Sequence, residues 1–403
     1  MNPKPTGRVV MLRLVFDHSS APNRRNRSHF LLCPFVPFCG LKYLVTSTGY
    51  ILVQLANGAR GIHSLAYGET MHPAIGPAAE AVALYVKQLR LEERLREHAG
   101  QFVIWDVGLG AAANALAVLR ATRQVTCAIR LVSFDETIEP LQFGLNHADA
   151  LGYFGGHQSH VQTLLEKHGV TFRDAGHRVA WELQSGDFPA LLARLVAASP
   201  ACFLPEPTHP LPLPGGERSG GGPSAAPLPG VVRSGFMVAR HGIKVLEAAH
   251  KPQRAACILP AEEPRKSFDD AVESLPAPHA ILFDPFSPAK NPAMWTLPLF
   301  TNLFRLLDPA RPCALATYSR STMTRAGLLL AGFYVGAGHA TGAQEETTIA
   351  ANTPELIDRL LDRRWLARAR RSHSAEPLRE PVYRQARLAP ATWEWLQRHP
   401  QFR

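Results

Sequence analysis

Apolar residues between positions 102 and 134 follow a strand, turn, helix, strand pattern. An apolar run at 102–106 leads into the turn 107–110, which is followed by good helix formers at 111–122 and by a second apolar run at 128–134. Apolar runs separated by a helical segment predict parallel strands joined by a crossover helix. The pattern therefore predicts an α/β fold with a mostly parallel sheet.

Apolar runs before and after this unit extend the pattern. Residues 50–55 and 59–65 flank Asn57-Gly58, a pair that is typical of β-hairpin turns. Residues 77–99 carry apolar positions at helical spacing and predict a single helix that stops at Gly100. Further strands are predicted at 179–183, 280–283, 312–318 and 333–335, with a helix at 320–331 between the last two.

Three segments depart from this regular pattern. Residues 1–48 show no steady period and predict a poorly ordered basic leader. Residues 204–230 contain eight prolines and six glycines, which predicts a flexible insertion within the domain. Residues 231–278 indicate no element. The predicted organisation is therefore a domain at 49–352, with an N-terminal β element and helix at 49–100, and an Arg-rich C-terminal arm at 353–403.

The formal net charge of +10 is concentrated at the two ends of the chain. Residues 1–30 and residues 355–403 each carry a net charge of +5, and the residues between them are neutral. Because Arg and Lys contacts to phosphates dominate the affinity of proteins for nucleic acids, basic ends favour a polyanionic partner. A solvated charged tail gives the same pattern.

Cysteine, histidine and apolar spacing set further expectations. The six cysteines contain no CxxC pair and the 17 histidines no HExxH, so we expect reduced cysteines and no metal site. No apolar run reaches the roughly 18 residues of a membrane span. We expect no membrane association and a cytoplasmic protein.

The turn after the first strand of the unit has the composition of a cofactor loop. Asp106 precedes Gly108 and Gly110, and glycines there let a ligand approach the backbone at a helix N-terminus. Asp135 ends the next strand, where a carboxylate can accept both hydroxyls of a ribose. Since Ala113 replaces the third glycine of GxGxxG, S-adenosylmethionine is favoured over a dinucleotide. Asp187, after a third strand, could bind the adenine amino group.

A second candidate motif follows the strand at 280–283. Asp284-Pro285-Phe286 lies at the carboxyl end of that strand, where α/β sheets bind their ligands. It resembles the Asp-Pro-Pro-Tyr type of motif of amine methyltransferases, in which the carboxylate and the next carbonyl accept protons from the amine and the aromatic ring stacks on the base. Orienting and deprotonating an amine is largely a positioning task.

Four separated motifs resemble those of the tRNA 5-methylaminomethyl-2-thiouridine methyltransferase family, of MnmC/MnmD type. Residues 284–295 are similar to its D-G-F-x-P-x-K-N-P-x-x-W signature, and residues 68–72 are similar to its G-E-T-x-H element. Residues 106–114 resemble its E-x-G-F-G-x-G-x-N turn. Residues 317–319, Arg325 and residues 331–333 resemble its T-Y-S, R and A-G-F elements, in the family's order.

The resemblance implies a Rossmann-like class I methyltransferase with a mostly parallel, seven-stranded sheet. The cofactor would be S-adenosyl-L-methionine and the substrate the aminomethyl group of a wobble uridine in tRNA, so the protein would act in tRNA modification. Asp284 would bind the amine and help to deprotonate it. The cofactor residues would be Asp106, Gly108, Gly110, Asn114, Asp135 and Asp187, and the substrate pocket would contain Glu69, Pro285, Phe286, Lys290, Asn291 and Trp295.

The sequence also departs from the family pattern. Ala112 stands at the third glycine of the turn, Pro285 replaces a glycine, and residues 342–348 lack a Lys-Arg pair that members carry. With about 50 residues after Asn352 and no GxGxxG among them, we expect no FAD-dependent oxidase half in this chain.

Two alternatives remain open from the sequence. One is an amine methyltransferase for a small molecule, and the other is a non-catalytic RNA-binding protein with a degenerate cofactor fold. His72 could act as a base, although a hydrogen-bonding structural role is more common. The three tryptophans of the arm, Trp365, Trp393 and Trp395, could stack on bases or pack the arm onto the domain.

Overall fold

Two β-sheets and their helices make up the part of the chain that can be described. The computed structural model describes residues 44–45, 49–198, 275–341 and 346–403. The predicted leader lies outside these residues except for 44–45, and the insertion 204–230 lies wholly outside them. Of the unassigned stretch 231–278, only residues 275–278 are described.

The strands and helices take labels in chain order. The strands are β1 (Leu44–Val45), β2 (Tyr50–Gln54), β3 (Arg60–Ser64), β4 (Glu69–Thr70), β5 (Gln101–Val107), β6 (Ala128–Asp135), β7 (Gly169–Asp174), β8 (His177–Ser185), β9 (Ala280–Phe283), β10 (Ala314–Thr317), β11 (Tyr334–Ala337) and β12 (Thr348–Ala351). The helices are α1 (Pro77–Ala81), α2 (Leu91–Glu97), α3 (Ala113–Thr122), α4 (Glu139–Asn146), α5 (Ala148–Leu151), α6 (Gln158–Lys167), α7 (Phe188–Ala198), α8 (Leu297–Arg305), α9 (Thr322–Ala331), α10 (Arg363–Arg371) and α11 (Pro390–Arg398). A π-helix (Val82–Lys87) and short 3₁₀ turns at Pro292–Trp295, Pro354–Leu356 and Pro400–Phe402 complete the set.

The larger sheet has eight strands in the order β11-β12-β10-β9-β5-β6-β8-β7. Strands β10, β9, β5, β6 and β8 are parallel neighbours, whereas β12 runs antiparallel to β10 and β11. The predicted α/β fold with a mostly parallel sheet is thus confirmed. The eighth strand, β7, forms an antiparallel hairpin with β8 at the edge of the sheet. The smaller sheet contains the predicted hairpin as β2 and β3, with β1 and β4 added.

Helices cover both faces of the larger sheet. Along β5, Phe102 and Ile104 face one hydrophobic cluster, while Val103, Trp105 and Val107 face the other, as expected for side chains that alternate along a strand. The first cluster includes helix α3, and the second includes α7, α8 and α9. A sheet buried on both faces requires apolar side chains at successive positions, which explains the continuous apolar runs in the sequence. Among the described residues, no helix has the length and apolar character needed to cross a bilayer.

The C-terminal residues pack against the second of these faces. Trp365, Leu366 and Leu396 are buried in the same cluster as α8 and α9. Trp393 is half-buried and packs against that cluster, with the guanidinium of Arg370 lying 4.8 Å from its ring centroid.

The helix predicted at 77–99 is interrupted. It consists of α1, the π-helix and α2, and Arg90 between the last two has a left-handed backbone with φ 48°. The interruption is explained by buried polar contacts. The Gln88 side chain donates to the Thr348 carbonyl and accepts from His339 N and Thr347 Oγ1, at 2.8 to 3.1 Å. These tertiary hydrogen bonds outweigh the local preference for a continuous helix.

We expect Arg90→Gly to stabilise the protein by roughly 0.5–1 kcal/mol, because a left-handed conformation is strained for a residue with a Cβ atom. The matched control is Arg96→Gly in helix α2, where the backbone is helical and the same change should destabilise by about 1 kcal/mol. Urea unfolding of both variants tests this. Destabilisation by both would contradict the strain assigned to Arg90.

Candidate active site

The carboxyl ends of strands β5 and β9 meet in direct backbone contact. Asp284 N, the first amide after β9, donates to the Val107 carbonyl at 2.8 Å. Gly108 has φ 90°, and a Cβ atom there would lie 2.7 Å from the Asp284 carbonyl oxygen. Only glycine therefore fits at Gly108. The turn at 107–110, termed here the glycine turn, and the loop at 284–291, termed the Asp284 loop, are therefore packed together as one unit. Gly108, which was predicted to bind the cofactor, is the residue that makes this close backbone packing possible.

The Asp284 carboxyl is the centre of a cluster of polar side chains. Asn114 Nδ2, in the first turn of α3, donates to Asp284 Oδ2 at 2.7 Å, and His72 Nε2 lies 3.7 Å from the same oxygen. Burial raises the pKa of Asp284 to about 7, and the hydrogen bond from Asn114 acts in the opposite direction. Asn114, predicted to bind the cofactor, is thus placed as the hydrogen-bond donor that orients Asp284.

Two further residues beside Asp284, Tyr85 and Glu80, were not indicated by the sequence as site residues. Tyr85 is fully buried beside Asp284, and burial followed by the charge of that carboxyl raises its pKa well above the ordinary value. Glu80 is also buried, and its pKa is raised by burial and then by Asp284, while His72 lowers it. Burial lowers the pKa of His72 itself. Tyr85 and Glu80 belong to the predicted helix, where a Tyr on the apolar face looks like a core residue.

Asp106, the second-last residue of strand β5, is fully buried within the sheet. Ser133 Oγ donates to Asp106 Oδ2 at 2.9 Å and in turn accepts from Trp181 Nε1 at 2.9 Å, so a chain of hydrogen bonds crosses three adjacent strands. Burial raises the pKa of Asp106 to about 7. Its other oxygen, Oδ1, has no hydrogen-bond partner within the described part of the chain.

The other predicted cofactor acids lie along the same edge of the sheet. Gly110 N donates to Asp135 Oδ2 at 2.7 Å, and burial raises the pKa of Asp135 to about 6. Asp187 follows β8, where Gly186 N donates to the Asp135 carbonyl at 2.9 Å. The exposed Asp187 carboxylate accepts from Ala190 N at 2.8 Å and caps α7. Its predicted contact with adenine stays a prediction.

Ala112 has the backbone conformation for which the family pattern uses glycine. It is the N-cap of α3, is fully buried and has φ 63°, a left-handed conformation that L-residues rarely adopt. Gly110, with φ 52°, lies beside the Met71 side chain, whose sulfur would be 3.4 Å from a Cβ atom at that position. The departure at Ala112 is therefore a backbone strain at the start of α3.

The loop after β9 is held by hydrogen bonds to its backbone carbonyls. Tyr318 Oη donates to the Pro285 carbonyl at 2.9 Å, and Trp295 Nε1 donates to the Phe286 carbonyl at 2.8 Å. Trp295 is only 1% exposed, so it braces the loop from the core instead of lining a pocket as predicted. The Pro285 carbonyl, predicted to accept a substrate proton, already has one donor.

Glu69 fixes the next residue of the same loop. Its carboxylate accepts from Ser287 N at 3.1 Å and also from Ser287 Oγ. Lys290 is exposed, and its Nζ would be 3.7 Å from a Cβ atom at Gly68. Asn291 precedes the short 3₁₀ turn, and its amide donates to the Ser287 carbonyl at 2.8 Å. Glu69 and Lys290 thus lie where the G-E-T-x-H segment meets the Asp284 loop.

An aromatic pair forms one boundary of the site. The ring of Phe286 stacks on that of Tyr67 with centroids 4.1 Å apart and an interplanar angle of 20°. Tyr67 Oη donates to Glu136 Oε2 at 3.2 Å, directly after Asp135. Tyr67 was not predicted, and it connects the substrate-side loop to the end of strand β6.

The charge balance of the site favours a cationic ligand. Asp106, Asp135, Glu80 and Asp284 are all carboxyls whose pKa burial raises. Among the described residues, none of the four forms an ion pair with Lys or Arg, and His72 Nε2 lies 3.7 Å from Asp284 Oδ2. The described residues also contain no group of three or more His, Cys, Asp or Glu side chains suited to a metal ion. A positively charged organic ligand would lower the cost of ionising these groups.

The residues 342–348, which lack the Lys-Arg pair of the family pattern, are described only in part. Glu346 accepts from Arg325 Nη1 at 2.9 Å, and Arg325 also donates to the Thr347 carbonyl and to Thr348 Oγ1. Arg325 is buried, so this family residue has a structural role at the carboxyl end of β10, where Thr348 pairs with Thr317.

Comparison with known proteins agrees with this fold. Residues 267–353 match a family model described as S-adenosyl-L-methionine-dependent methyltransferase. Two curated relatives, both called tRNA 5-methylaminomethyl-2-thiouridine biosynthesis bifunctional protein MnmC, come from Methylibium petroleiphilum and Ectopseudomonas mendocina. The first is 26% identical over 72% of this chain and 33% of its own length. The second is 45% identical over 17% of this chain and 12% of its own length.

A solved structure shows the same fold over most of the chain. MnmC2 from Aquifex aeolicus superposes with a TM-score of 0.51 at 17% identity, covering 88% of this chain and 86% of that one. Fold, site and family match together define an S-adenosylmethionine-dependent methyltransferase. The chain contains a methyltransferase domain that is similar to the methyltransferase part of MnmC, which confirms the resemblance inferred from the sequence. It spans a third or less of the length of the two curated relatives.

We expect Asp284→Asn to stabilise the ligand-free protein more at pH 8 than at pH 5. The folded-state pKa of Asp284, about 7, exceeds its ordinary value, so between about pH 4 and pH 7 the native state retains a proton that the unfolded chain has lost. Wild-type stability therefore falls across that interval, and Asn removes the loss. The gain should be about 4 kcal/mol at pH 8 and about 1–2 kcal/mol at pH 5.

Urea unfolding at the two pH values provides the measurement. Asp358→Asn, at an exposed carboxylate, is the matched control and should change stability equally at both. If Asp284→Asn instead lowers the stability at pH 8, the folded protein stabilises the ionised form of Asp284, which contradicts the raised pKa.

Proposed function

We propose that this chain transfers a methyl group from S-adenosyl-L-methionine to the primary amine of an aminomethyl group on the wobble uridine of tRNA. The observation that carries the proposal is the Asp284 carboxyl, 13% exposed and oriented by Asn114, in backbone contact with the glycine turn. The curated relatives are named for the biosynthesis of 5-methylaminomethyl-2-thiouridine in tRNA, which supports the tRNA substrate. With tRNA as its substrate, the protein would act in the cytoplasm.

The donor set fits the proposed cofactor. Asp106 Oδ1 and Asn114 Oδ1 are buried acceptors with no hydrogen-bond partner in the described chain, and both lie at the ends of the glycine turn. The ammonium group of the methionine part of S-adenosylmethionine would satisfy such acceptors, and Asp135 would receive the ribose hydroxyls. When bound, the cofactor supplies an electrophilic methyl group on a positively charged sulfur. The amine then needs only to be deprotonated and aligned.

Asp284 would perform both of these tasks. A primary alkylamine is protonated at neutral pH and cannot attack until it loses a proton. Since Asn114 Nδ2 already donates to Oδ2, the Oδ1 atom of Asp284 is the better placed to receive the ammonium group. A carboxyl whose pKa is about 7 is poised to take up that proton near neutral pH. His72, held neutral by burial, lies next to Asp284 and Glu80 and can accept a hydrogen bond from the protonated carboxyl.

The aromatic boundary would position the base. Phe286 presents a ring that is already fixed by Tyr67 on one side, so its conformational freedom is lost before the substrate binds. Glu69 and Trp295 fix the backbone on either side of this ring through Ser287 and the Phe286 carbonyl. A preorganised ring of this kind costs less entropy on binding than a free one.

Methyl transfer from labelled S-adenosylmethionine to tRNA that carries 5-aminomethyluridine tests the proposal, with nucleoside mass analysis of the product. We expect a gain of one methyl group at the wobble position. Asp284→Ala should lower the rate by about a hundredfold or more, while the control Asp358→Ala should not. Cofactor binding without transfer to tRNA would direct the search to small amines. Absence of cofactor binding would contradict the enzymatic assignment.

We expect Asn114→Ala to move the acidic limb of the pH–rate profile to higher pH. The Asn114 hydrogen bond lowers the pKa of Asp284, so its removal should raise that pKa above about 7. At saturating S-adenosylmethionine, which offsets the loss of the Asn114 Oδ1 acceptor, the rate should then recover toward the wild-type value as the pH approaches 9. Single-turnover rates between pH 6 and 9 provide the measurement. A rate lowered by the same factor at every pH would indicate that Asn114 is only structural.

A further inference from the structure

The C-terminal residues 363–387, termed here the basic strap, carry a high local positive charge. They contain eight arginines and two glutamates. All eight arginines are exposed. The strap includes helix α10 and the loop that follows it.

Three arginines of α10 form one exposed stripe. Arg364, Arg368 and Arg371 are spaced four and three residues apart, which places them on one face of the helix. The opposite face, with Trp365 and Leu366, is buried against the domain. Within the described chain none of the three stripe arginines forms an ion pair. The helix is thus anchored by its apolar face and presents three uncompensated charges to solvent.

The other arginines of α10 have partners in the fold. Arg363 Nε donates to the Phe402 carbonyl at 2.8 Å, and the Arg370 guanidinium lies over the Trp393 ring. These contacts separate structural arginines from the stripe.

The loop that follows α10 begins beside the Asp284 loop. Leu297 N donates to the Leu378 carbonyl at 2.7 Å, two residues after Trp295, whose indole holds the Phe286 carbonyl. Residues 379–387 are all exposed, and the loop is closed at its base by hydrogen bonds from Ala375 N and Glu376 N to the Ala386 carbonyl. The loop is therefore a defined projection from the rim of the site.

This loop combines an aromatic ring with arginines. Tyr383 is 38% exposed, and the exposed Arg384 follows it directly. Aromatic rings and guanidinium planes on a basic surface are the groups on which unpaired bases stack. Val382, 47% exposed, adds apolar surface at the same place.

The chain enters the strap beside the carboxyl end of β10. Arg325 donates to Thr348 Oγ1 there and to Glu346 at 2.9 Å, and Glu346 also accepts from Arg359 Nη2 at 3.4 Å, four residues before α10.

We propose that the basic strap is the docking surface for the RNA substrate, with Arg364, Arg368 and Arg371 on the phosphate backbone and Tyr383 on an unpaired base. This inference rests on the proposed function, since it assigns the surface that delivers the tRNA to Asp284. It also explains the charge distribution along the sequence, in which the domain between the ends is neutral. In this proposal the neutral domain contains the catalytic residues, and the basic strap attracts the polyanionic RNA.

Binding of unmodified tRNA transcript as a function of salt tests the proposal, with no cofactor present. The variant Arg364→Ser/Arg368→Ser/Arg371→Ser should weaken binding and reduce the slope of log Kobs against log salt by about 2 to 3, roughly one for each lost phosphate contact. The matched control is Arg173→Ser/Arg178→Ser, at exposed arginines of the β7–β8 hairpin. The control should lose no more than a small part of the slope.

A second variant tests the stacking contact. Tyr383→Ala should lower the affinity for a single-stranded anticodon-loop oligonucleotide about tenfold while leaving the salt slope unchanged, because stacking releases no counterions. Thermal unfolding of every variant should match the wild type, since the changed side chains are exposed. An unchanged affinity and slope in the Arg variant would overturn the proposal, as would a charge-dependent loss of binding to phosphatidylserine vesicles in place of tRNA.

The binding assay and the methylation assay test the docking surface and the proposed reaction independently. If wild-type protein binds tRNA through the strap but transfers no methyl group to it, the docking surface stands and the proposed reaction is wrong. If methyl transfer to tRNA occurs and the Arg variant keeps the wild-type KM for it, the reaction stands and the strap is not its docking surface.

Discussion

The free-energy cost of burying carboxyl groups without cationic partners determines how the candidate active site, at the carboxyl ends of the central strands, is built. Asp106, Asp135 and Asp284 lie at the carboxyl ends of three central strands and Glu80 on the adjoining helix, and burial raises the pKa of each. A fold selected for stability alone would pair or replace them. The surrounding structure instead supplies neutral donors, from Ser133, Gly110 and Asn114, that orient the three aspartates. The site therefore lacks positive charge, and a sulfonium, an ammonium group or both can supply it.

Backbone packing fixes the geometry in which that deficit is used. Gly108 leaves no room for a side chain against the Asp284 carbonyl, so the glycine turn and the Asp284 loop cannot move independently. The loop is then held from outside by Tyr318 and Trp295, which bind consecutive carbonyls. Rigid support of this kind is what transfer of a methyl group demands, since the reacting atoms must be aligned closely.

The sequence predicted the parts of the fold whose patterns are local. Strand β9 occupies the predicted residues 280–283, because a fully apolar run between turn residues has few other interpretations. Strands β7 and β12 were missed: β7 is a half-exposed edge strand, and the short β12 is identified only through its pairing with β10. The helix at 77–99 was predicted as continuous because the contacts of Gln88 that interrupt it come from residues about 250 positions away.

The candidate site was predictable to a similar degree. The topology of a parallel sheet brings the ends of its strands together, so Asp106, Asp135 and Asp284 could be predicted from position alone. The orientation of Asn114 toward Asp284, and the burial of Trp295 behind the loop, depend on side-chain packing that no spacing rule encodes. Tyr85 was missed for the same reason, since a phenol on an apolar helix face has the same pattern whether or not it meets a carboxyl.

The hydrogen-bond chain from Trp181 through Ser133 to Asp106 gives the protein an intrinsic optical reporter. The indole is fully buried on strand β8, away from solvent quenching, and its N–H is coupled through one hydroxyl to a carboxyl at the proposed cofactor turn. Any ligand that changes the charge on Asp106 alters the electric field along this chain. The emission of Trp181 would therefore follow the occupancy of the site, without a label and without turnover.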